Sequence, residues 1–345
     1  MNSRKRFSSS SWLLWFLAAA LILVFFTDLA VASADISFRD FYHTLLGFTH
    51  NTTIEYIIYE VRLPRALTAI LAGGSLALSG LLLQTLFHNP LAGPYVLGIS
   101  SGAGLGVAVY TLSAATFFSM QPLVAAGGQV LAAMIGAALV FLVVLSFSWR
   151  LADTVSLLII GIMIGALASS IVGILEYFAP PELVHRFVIW SLGSLGATSW
   201  LHLKIIIPVF FLAIASSILL IKPLDAMLMG EVHARITGVN VRRTRFMMIV
   251  ISSVLVGVLT AFTGPIAFVG MTVPHMVRLV SHRVSFRFVL PGVLLAGPLL
   301  MLVCDIIAQL PGRAATLPIN GVTALFGAPV VILLIIRSRK LNSSL

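Results

Sequence analysis

Apolar runs of about twenty residues alternate along the chain with short polar or Gly/Pro-marked breaks. The spacing predicts ten membrane-crossing helices, at roughly 12–32, 62–83, 95–113, 122–146, 154–176, 203–221, 244–263, 267–281, 288–309 and 320–337. About twenty apolar residues in a helix cross a ~30 Å hydrocarbon core. A segment in lipid must satisfy its backbone internally, so each run is expected to be helical. The alternating ten-residue strands of a transmembrane barrel are not seen. Gly and Pro interrupt the third and eighth runs most.

One polar interruption has a pattern of its own. In "GEVHARITGVNVRRTR", residues 230–245, Val232, Ile236 and Val239 recur at i, i+4, i+7, one face of a helix. Glu231 and Arg235 stand i, i+4 on another face, where they are expected to pair. Gly230 and Gly238 punctuate the segment, and Gly238 suits the end of one short helix before the next begins. A solvated amphipathic loop is the plainer alternative.

Composition agrees with the pattern. The chain is 59% hydrophobic and 9% charged, against roughly 25% charged in soluble domains. Its single cysteine, Cys304, permits no intrachain disulfide. The start, "MNSRKRFSSSSWLLWFLAAALILVFF" followed by "VASAD", imitates a signal peptide; the length of the apolar run and the nine runs after it favour a retained first helix. Net charge of +10 raises the question of nucleic acid, but the charge distribution answers it. With ten spans and an inside amino terminus, fifteen of the 21 Lys and Arg residues fall on the inner side; Arg39, Arg62, Arg65, Arg186, Lys204 and Arg313 fall outside. This positive-inside bias predicts cytoplasmic termini, places 230–245 in the cytoplasm, and needs no nucleic-acid partner.

Few residues offer chemistry. None of the four lysines follows a glycine, so no Gly-x-x-x-x-Gly-Lys-Ser/Thr phosphate cradle exists, and any ATP must be bound by a partner. An ion-coupled secondary transporter would need mid-membrane carboxylates, for which only Asp305 and Glu176 stand available. In that case Asp305→Asn abolishes uptake; in an ATP-driven permease it is expected to be mild. "GISSG" at 98–102 puts Ser100 in a Gly-x-Ser-x-Gly pattern, but no strand precedes it, and it reads better as a small-residue helix start. The eight His show no compact metal-ligand spacing.

Five ordered blocks carry a resemblance. "RLPRALTAILAGGSLALSGLLLQTLFHNPLAGPYVLGISSGAGLG" (62–106), the 230–245 block, "GPIAFVGMTVPHMVRL" (264–279), "LPGVLLAGPLLMLVCDIIA" (290–308) and "LPINGVTALFGAPVVILLI" (317–335) resemble the iron-siderophore, haem and cobalamin (FecCD-type) permeases of ABC importers. The resemblance covers nearly the whole chain. It implies an all-α polytopic membrane protein of the vitamin B12 permease-like, type II importer fold: a single domain, 1–345, of about ten transmembrane helices in the bacterial inner membrane. Implied partners are two ABC ATPase subunits, which use the ATP and Mg; a periplasmic or lipid-anchored substrate-binding protein; a second permease copy or a related permease; and membrane lipids. The chain itself is expected to bind no cofactor or metal.

The resemblance also assigns residues. Cytoplasmic coupling helices at about 225–242 would seat in the ATPase, with Val232, Ala234, Ile236, Gly238 and Val239 on the docking segment and Glu231 and Arg235 setting register. Thr237 departs from the family, which often has Leu before this glycine. Arg62, Arg65 and Arg313 would meet acidic groups of the binding protein, although the family arginine more often falls near Gln309; snorkelling from a helix end is the equal alternative for Arg62 and Arg65. Asp153 and Thr154 are the cytoplasmic gate candidates, and Gly93, Pro94 and Gly98 echo Gly264, Pro265 and Gly270 as breaks beside a transport path. The expected cargo is a ferric siderophore, with haem or cobalamin as alternatives.

Overall fold

The computed structural model describes residues 3–30, 44, 52–113, 126–150, 154–310 and 316–342. Among these residues thirteen main helices follow in order: α1 Ser3–Ala30, α2 Leu63–Leu86, α3 Ile99–Ala108, α4 Ala126–Arg150, α5 Thr154–Phe178, α6 Pro181–Ser191, α7 Trp200–Leu219, α8 Ile221–Leu228, α9 Glu231–Ile236, α10 Val241–Thr263, α11 Val269–Ser281, α12 Phe286–Ala308 and α13 Ile319–Asn342. A short helix, Thr52–Tyr56, and a π-helical stretch, Ile57–Arg62, lead into α2. No strand occurs among the described residues.

Every one of the ten predicted runs holds a helix, but not every helix is a full span. Among the described residues, seven are long and apolar enough to cross a membrane. The third run begins as a 3-10 turn, Pro94–Leu97, continues as α3 and ends in a π-helical turn, Val109–Ser113. The eighth is α11, 13 residues with Pro274 inside. At 1.5 Å per residue α11 reaches about 20 Å, short of the ~30 Å core. The Gly and Pro interruptions are the cause in both. Gly98 adopts φ 71, and a Cβ there would stand 2.8 Å from the Gly161 carbonyl oxygen, so the chain can turn into α3 only with glycine.

Contacts group the chain into two compact units. The first comprises Met1–Ala77, Leu195–Leu203 and Ala267–Leu345. In it α1 packs on α12, which also meets α11 and α13. Gly73 of α2 and Gly297 of α12 lie backbone to backbone: a Cβ on Gly73 would sit 2.2 Å from the Gly297 oxygen. Small residues let helices approach this closely in lipid, where packing rather than water drives association.

The second unit comprises Leu78–Ser194 and Lys204–Ile266. Here α3 is the packing centre, against α4, α5 and α10. A Cβ on Gly106 would meet the Ala132 oxygen at 2.0 Å, and one on Gly136 the Gly102 oxygen at 2.1 Å. Two buried hydroxyls of α10 find partners: Thr260 lies 3.4 Å from Ser100, and Ser252 donates to the Ser79 carbonyl at 3.5 Å. Ser100 is therefore a buried hydroxyl at a helix start preceded by a 3-10 turn, not a nucleophile on a strand-to-helix elbow. The outward faces of α4, α5 and α7 are apolar; Leu131, Ile135, Leu139 and Leu142 form one such stripe on α4. Stripes of this extent belong against lipid rather than water.

Candidate functional site

The 230–245 block folds into a rigid helical corner. Helix α8 is anchored by Leu224 and Met227, both fully buried, and the Met227 carbonyl lies 3.3 Å from His88 Nε2 in the loop after α2. Gly230, at φ 100, breaks α8 from α9. The end of α9 is a Schellman motif: the Gly238 N–H donates to the Arg235 carbonyl at 3.0 Å and the Val239 N–H to the Ala234 carbonyl at 2.9 Å. Gly238 takes φ 83, the left-handed conformation this motif requires. Thr237, the family departure, donates its hydroxyl to the Ala234 carbonyl at 2.9 Å and so caps the same helix end. The Asn240 side chain accepts from the Arg243 N–H at 2.9 Å and starts α10.

This corner divides the predicted coupling residues. Val232 and Ile236 project outward, 75% and 79% exposed. Ala234 points the other way and is fully buried, so it seats α9 on its own unit. Val239 is half-buried behind the cap. The expected Glu231–Arg235 pair does not form. Glu231 binds Arg245 at the start of α10 instead, and Arg235 is exposed with no ion pair among the described residues. The reason is geometric: α9 is only six residues long, and α10 returns a cation to its first turn. Of the gate candidates, Thr154 is the part-buried first residue of α5, and Asp153 lies outside the described residues.

The arginines at the start of α2 are held within the first unit. Arg62 is buried, its Nη1 donating to the Leu29 carbonyl at 2.9 Å and the Ala30 carbonyl at 3.3 Å. These are unsatisfied carbonyls at the C-terminal end of α1, where a cation also complements the helix dipole. Arg65 grips Asp305 with two nitrogens, Nε to Oδ2 at 2.9 Å and Nη2 to Oδ1 at 2.8 Å. Asp305 has no exposed surface. The Gln309 amide, one turn further along α12, donates to Asp305 Oδ2 and to Asp28 Oδ1, both at 3.0 Å. A network thus joins the ends of α1 and α12 to the start of α2. Arg62 is not freely presented as the docking expectation requires, since its donors serve α1; Arg65 keeps 17% of its side chain exposed. Arg313 lies outside the described residues.

Two members of this network, Asp28 and Gln309, escaped sequence reading. The signal for Gln309 was the position where the family more often has arginine; for Asp28 it was an acid closing the first apolar run. The mild effect expected of Asp305→Asn needs correction as well. Asp305 is a structural partner of Arg65, and its neutralisation would leave a largely buried guanidinium facing an amide. Among the described residues no group of three His, Cys, Asp or Glu side chains is placed to hold a metal ion.

A polytopic helical bundle with glycine-mediated crossings, lipid-facing stripes and a helical corner outside its spans is the architecture of a membrane permease. The family model for the FecCD transport family matches residues 20–337, and the chain belongs to that family. It is 33% identical over 332 residues to the hemin transport system permease protein HmuU of Yersinia pestis, covering 96% of this chain and 97% of that one. It is 38% identical over 288 residues to the vitamin B12 import system permease protein BtuC of Klebsiella pneumoniae, covering 83% and 84%. A solved structure described as an inward-facing metal-chelate type ABC transporter superposes with TM-score 0.79 at 28% identity, over 95% of this chain and 99% of that one. The protein is therefore the multi-pass permease subunit of an ABC importer of the bacterial inner membrane, with the BtuC-like fold, and not itself an enzyme. An ATPase and a binding protein are the partners that membership implies.

Proposed function

We propose that this permease imports an iron chelate, a ferric siderophore or haem, handed over by a binding protein and driven by ATP hydrolysis in two partner subunits. The chain acts as one permease domain, pairs with a second copy, and has both termini in the cytoplasm. Similarity to a hemin permease over nearly the full length supports haem as firmly as siderophore; cobalamin is the alternative cargo. The observation that carries the coupling role is the exposure of Val232 and Ile236 on a helix held at both ends by glycine-dependent turns. Such knobs are preorganised, so a partner gains apolar burial without ordering a loop. Arg65 and Arg313 remain our candidates for contact with the binding protein, and Asp153 and Thr154 for the gate.

Transmission follows from the anchoring. A pull on α9 reaches α8 through Gly230, then the core through buried Leu224 and Met227, and the loop after α2 through His88. Ion coupling through Asp305 has less support, because Arg65 and Gln309 already occupy both its oxygens. The test is reconstitution in nanodiscs with the ATPase. Fully burying an aliphatic side chain contributes roughly 1.5–3 kcal/mol. Ile236→Asp is thus expected to weaken ATPase binding by about ten- to hundredfold. Binding protein loaded in turn with ferric siderophore, haem or cobalamin then names the cargo by which one stimulates hydrolysis. Unchanged ATPase binding by the variant would remove α9 from the coupling role.

A further inference from the structure

A cleft of 720 Å³ opens in the second unit where the end of α7 and the start of α8 approach the start of α10. That volume is within the usual range for ligand pockets, roughly 300–1,000 Å³. Its wall is of two kinds. Leu219, Leu220 and Met247 supply an apolar side; Lys222 and Arg243 supply two exposed cations, neither in an ion pair among the described residues. The apolar side continues into the outward face of α7, where Phe211, Leu212 and Leu219 are 60%, 68% and 82% exposed.

A second, smaller cleft of 300 Å³ adjoins the first, sharing Arg243 and adding Trp149 and Phe246. Trp149, the penultimate residue of the membrane-length helix α4, is 59% exposed and lies 6.0 Å from the Phe246 ring. Its carbonyl accepts from Arg242 Nη2 at 3.3 Å. An exposed tryptophan beside arginines at the end of a span marks headgroup depth, where an amphipathic ring has lipid on one side and water on the other. Acyl-facing surface, interfacial ring and free cations therefore meet in one place.

We propose that this double cleft is a binding site for an anionic phospholipid, with the phosphate between Lys222 and Arg243 and an acyl chain along Leu219 and Leu220. A zwitterionic lipid satisfies the apolar wall but brings its own ammonium with its phosphate and leaves the net positive charge of Lys222 and Arg243 uncompensated; free phosphate compensates that charge but leaves the apolar wall unused. Only an anionic amphiphile uses both. The occupant also lies against α8 and the residues that cap α9, so its retention bears on the corner proposed to meet the ATPase. The lipid inference itself depends only on the membrane placement of the chain, and stands or falls apart from the cargo and coupling assignments.

The experiment uses the full chain in nanodiscs of phosphatidylcholine containing a small fraction of brominated phosphatidylglycerol or brominated phosphatidylcholine. The quenching that disappears in Trp149→Phe isolates the signal of this site. With about fivefold contributed by each favourably placed cation, brominated phosphatidylglycerol should quench at about five- to thirtyfold lower mole fraction than brominated phosphatidylcholine. Lys222→Gln with Arg243→Gln should abolish that preference while leaving quenching by the neutral lipid intact, which also shows that the variant is folded. Equal quenching by both lipids, or a preference that survives the double substitution, overturns the proposal. So does displacement by millimolar inorganic phosphate, which would make the site one for the free anion. Complete displacement by the ATPase, with loss of ATPase affinity in the double variant, would assign the cleft to protein docking instead.

Discussion

Two charged regions of this chain solve opposite problems. In the first unit, Arg65, Asp305, Gln309 and Asp28 are held together by hydrogen bonds, and both carboxylates are buried. In the second, the corner around α9 leaves Val232, Ile236 and Arg235 exposed. Charge inside the bundle is compensated internally because lipid and protein offer no water to stabilise it. The corner tolerates exposure because it is braced by backbone geometry instead: Gly230, Gly238 and the Asn240 cap fix its shape. The first region satisfies its buried carboxylates within the chain, leaving only part of Arg65 exposed; the second is shaped for something outside it. Substitutions in the two regions should therefore fail in different assays.

The largest expected effect is in the closed region. Removing one partner of a buried ion pair typically costs about 3–5 kcal/mol. Asp305→Asn should sharply lower the aggregation temperature of the purified permease, and Arg65→Gln in the same background should restore a substantial part of the loss by removing the stranded charge. Wild-type stability in the single variant would mean that the network contributes little. Full stability with abolished uptake would return Asp305 to the ion-coupling role.

The open region should respond the other way. Ile236→Asp leaves the aggregation temperature alone and weakens ATPase binding, as above. Gly238→Ala is intermediate. No atom would lie within 4 Å of the new Cβ, so the cost is conformational only, about 1–2 kcal/mol for forcing an L-residue into the left-handed region. Faster amide exchange over α9, with unchanged exchange in α12, is the expected signature. If α12 is perturbed as well, the two regions are not independent.

The sequence made these regions legible to very different degrees. Run lengths placed a helix in each of the ten predicted runs without distinguishing the seven of membrane length from the shorter ones, and Gly238 announced a helix end because few residues accept φ 83. Periodicity identified Val232 and Ile236 as one face, but not that Ala234 would be the buried one; that depends on how α9 rests on its unit. Helix α6, 11 residues, was too short to stand out among runs of twenty. The network was the least legible. Arg65 and Asp305 are 240 residues apart and Asp28 and Gln309 281 apart, and no local rule pairs acids and bases across such separations. Local pattern reports the helix; the partner of a buried charge is a property of the fold.

The smallest effect, and the finest discrimination, is at Arg235. It was expected to pair with Glu231 one turn earlier, but Arg245 takes that role. Arg235 is left exposed beside Ile236 on the face proposed to meet the ATPase. An exposed side chain without such a partner changes stability by no more than about 0.5 kcal/mol when replaced, so Arg235→Gln should be silent in the aggregation assay. A rim charge acts mainly on encounter, raising the association rate in a salt-dependent way. Arg235→Gln should therefore slow ATPase association at low ionic strength, leave the dissociation rate unchanged, and become indistinguishable from wild type in high salt. Glu231→Gln should do the reverse: it removes the ion pair with Arg245, loosens the seat of α9, and raises the dissociation rate at all salt concentrations. If the two variants behave alike, the Glu231–Arg245 bond does not brace the corner, and both residues belong to the docking rim.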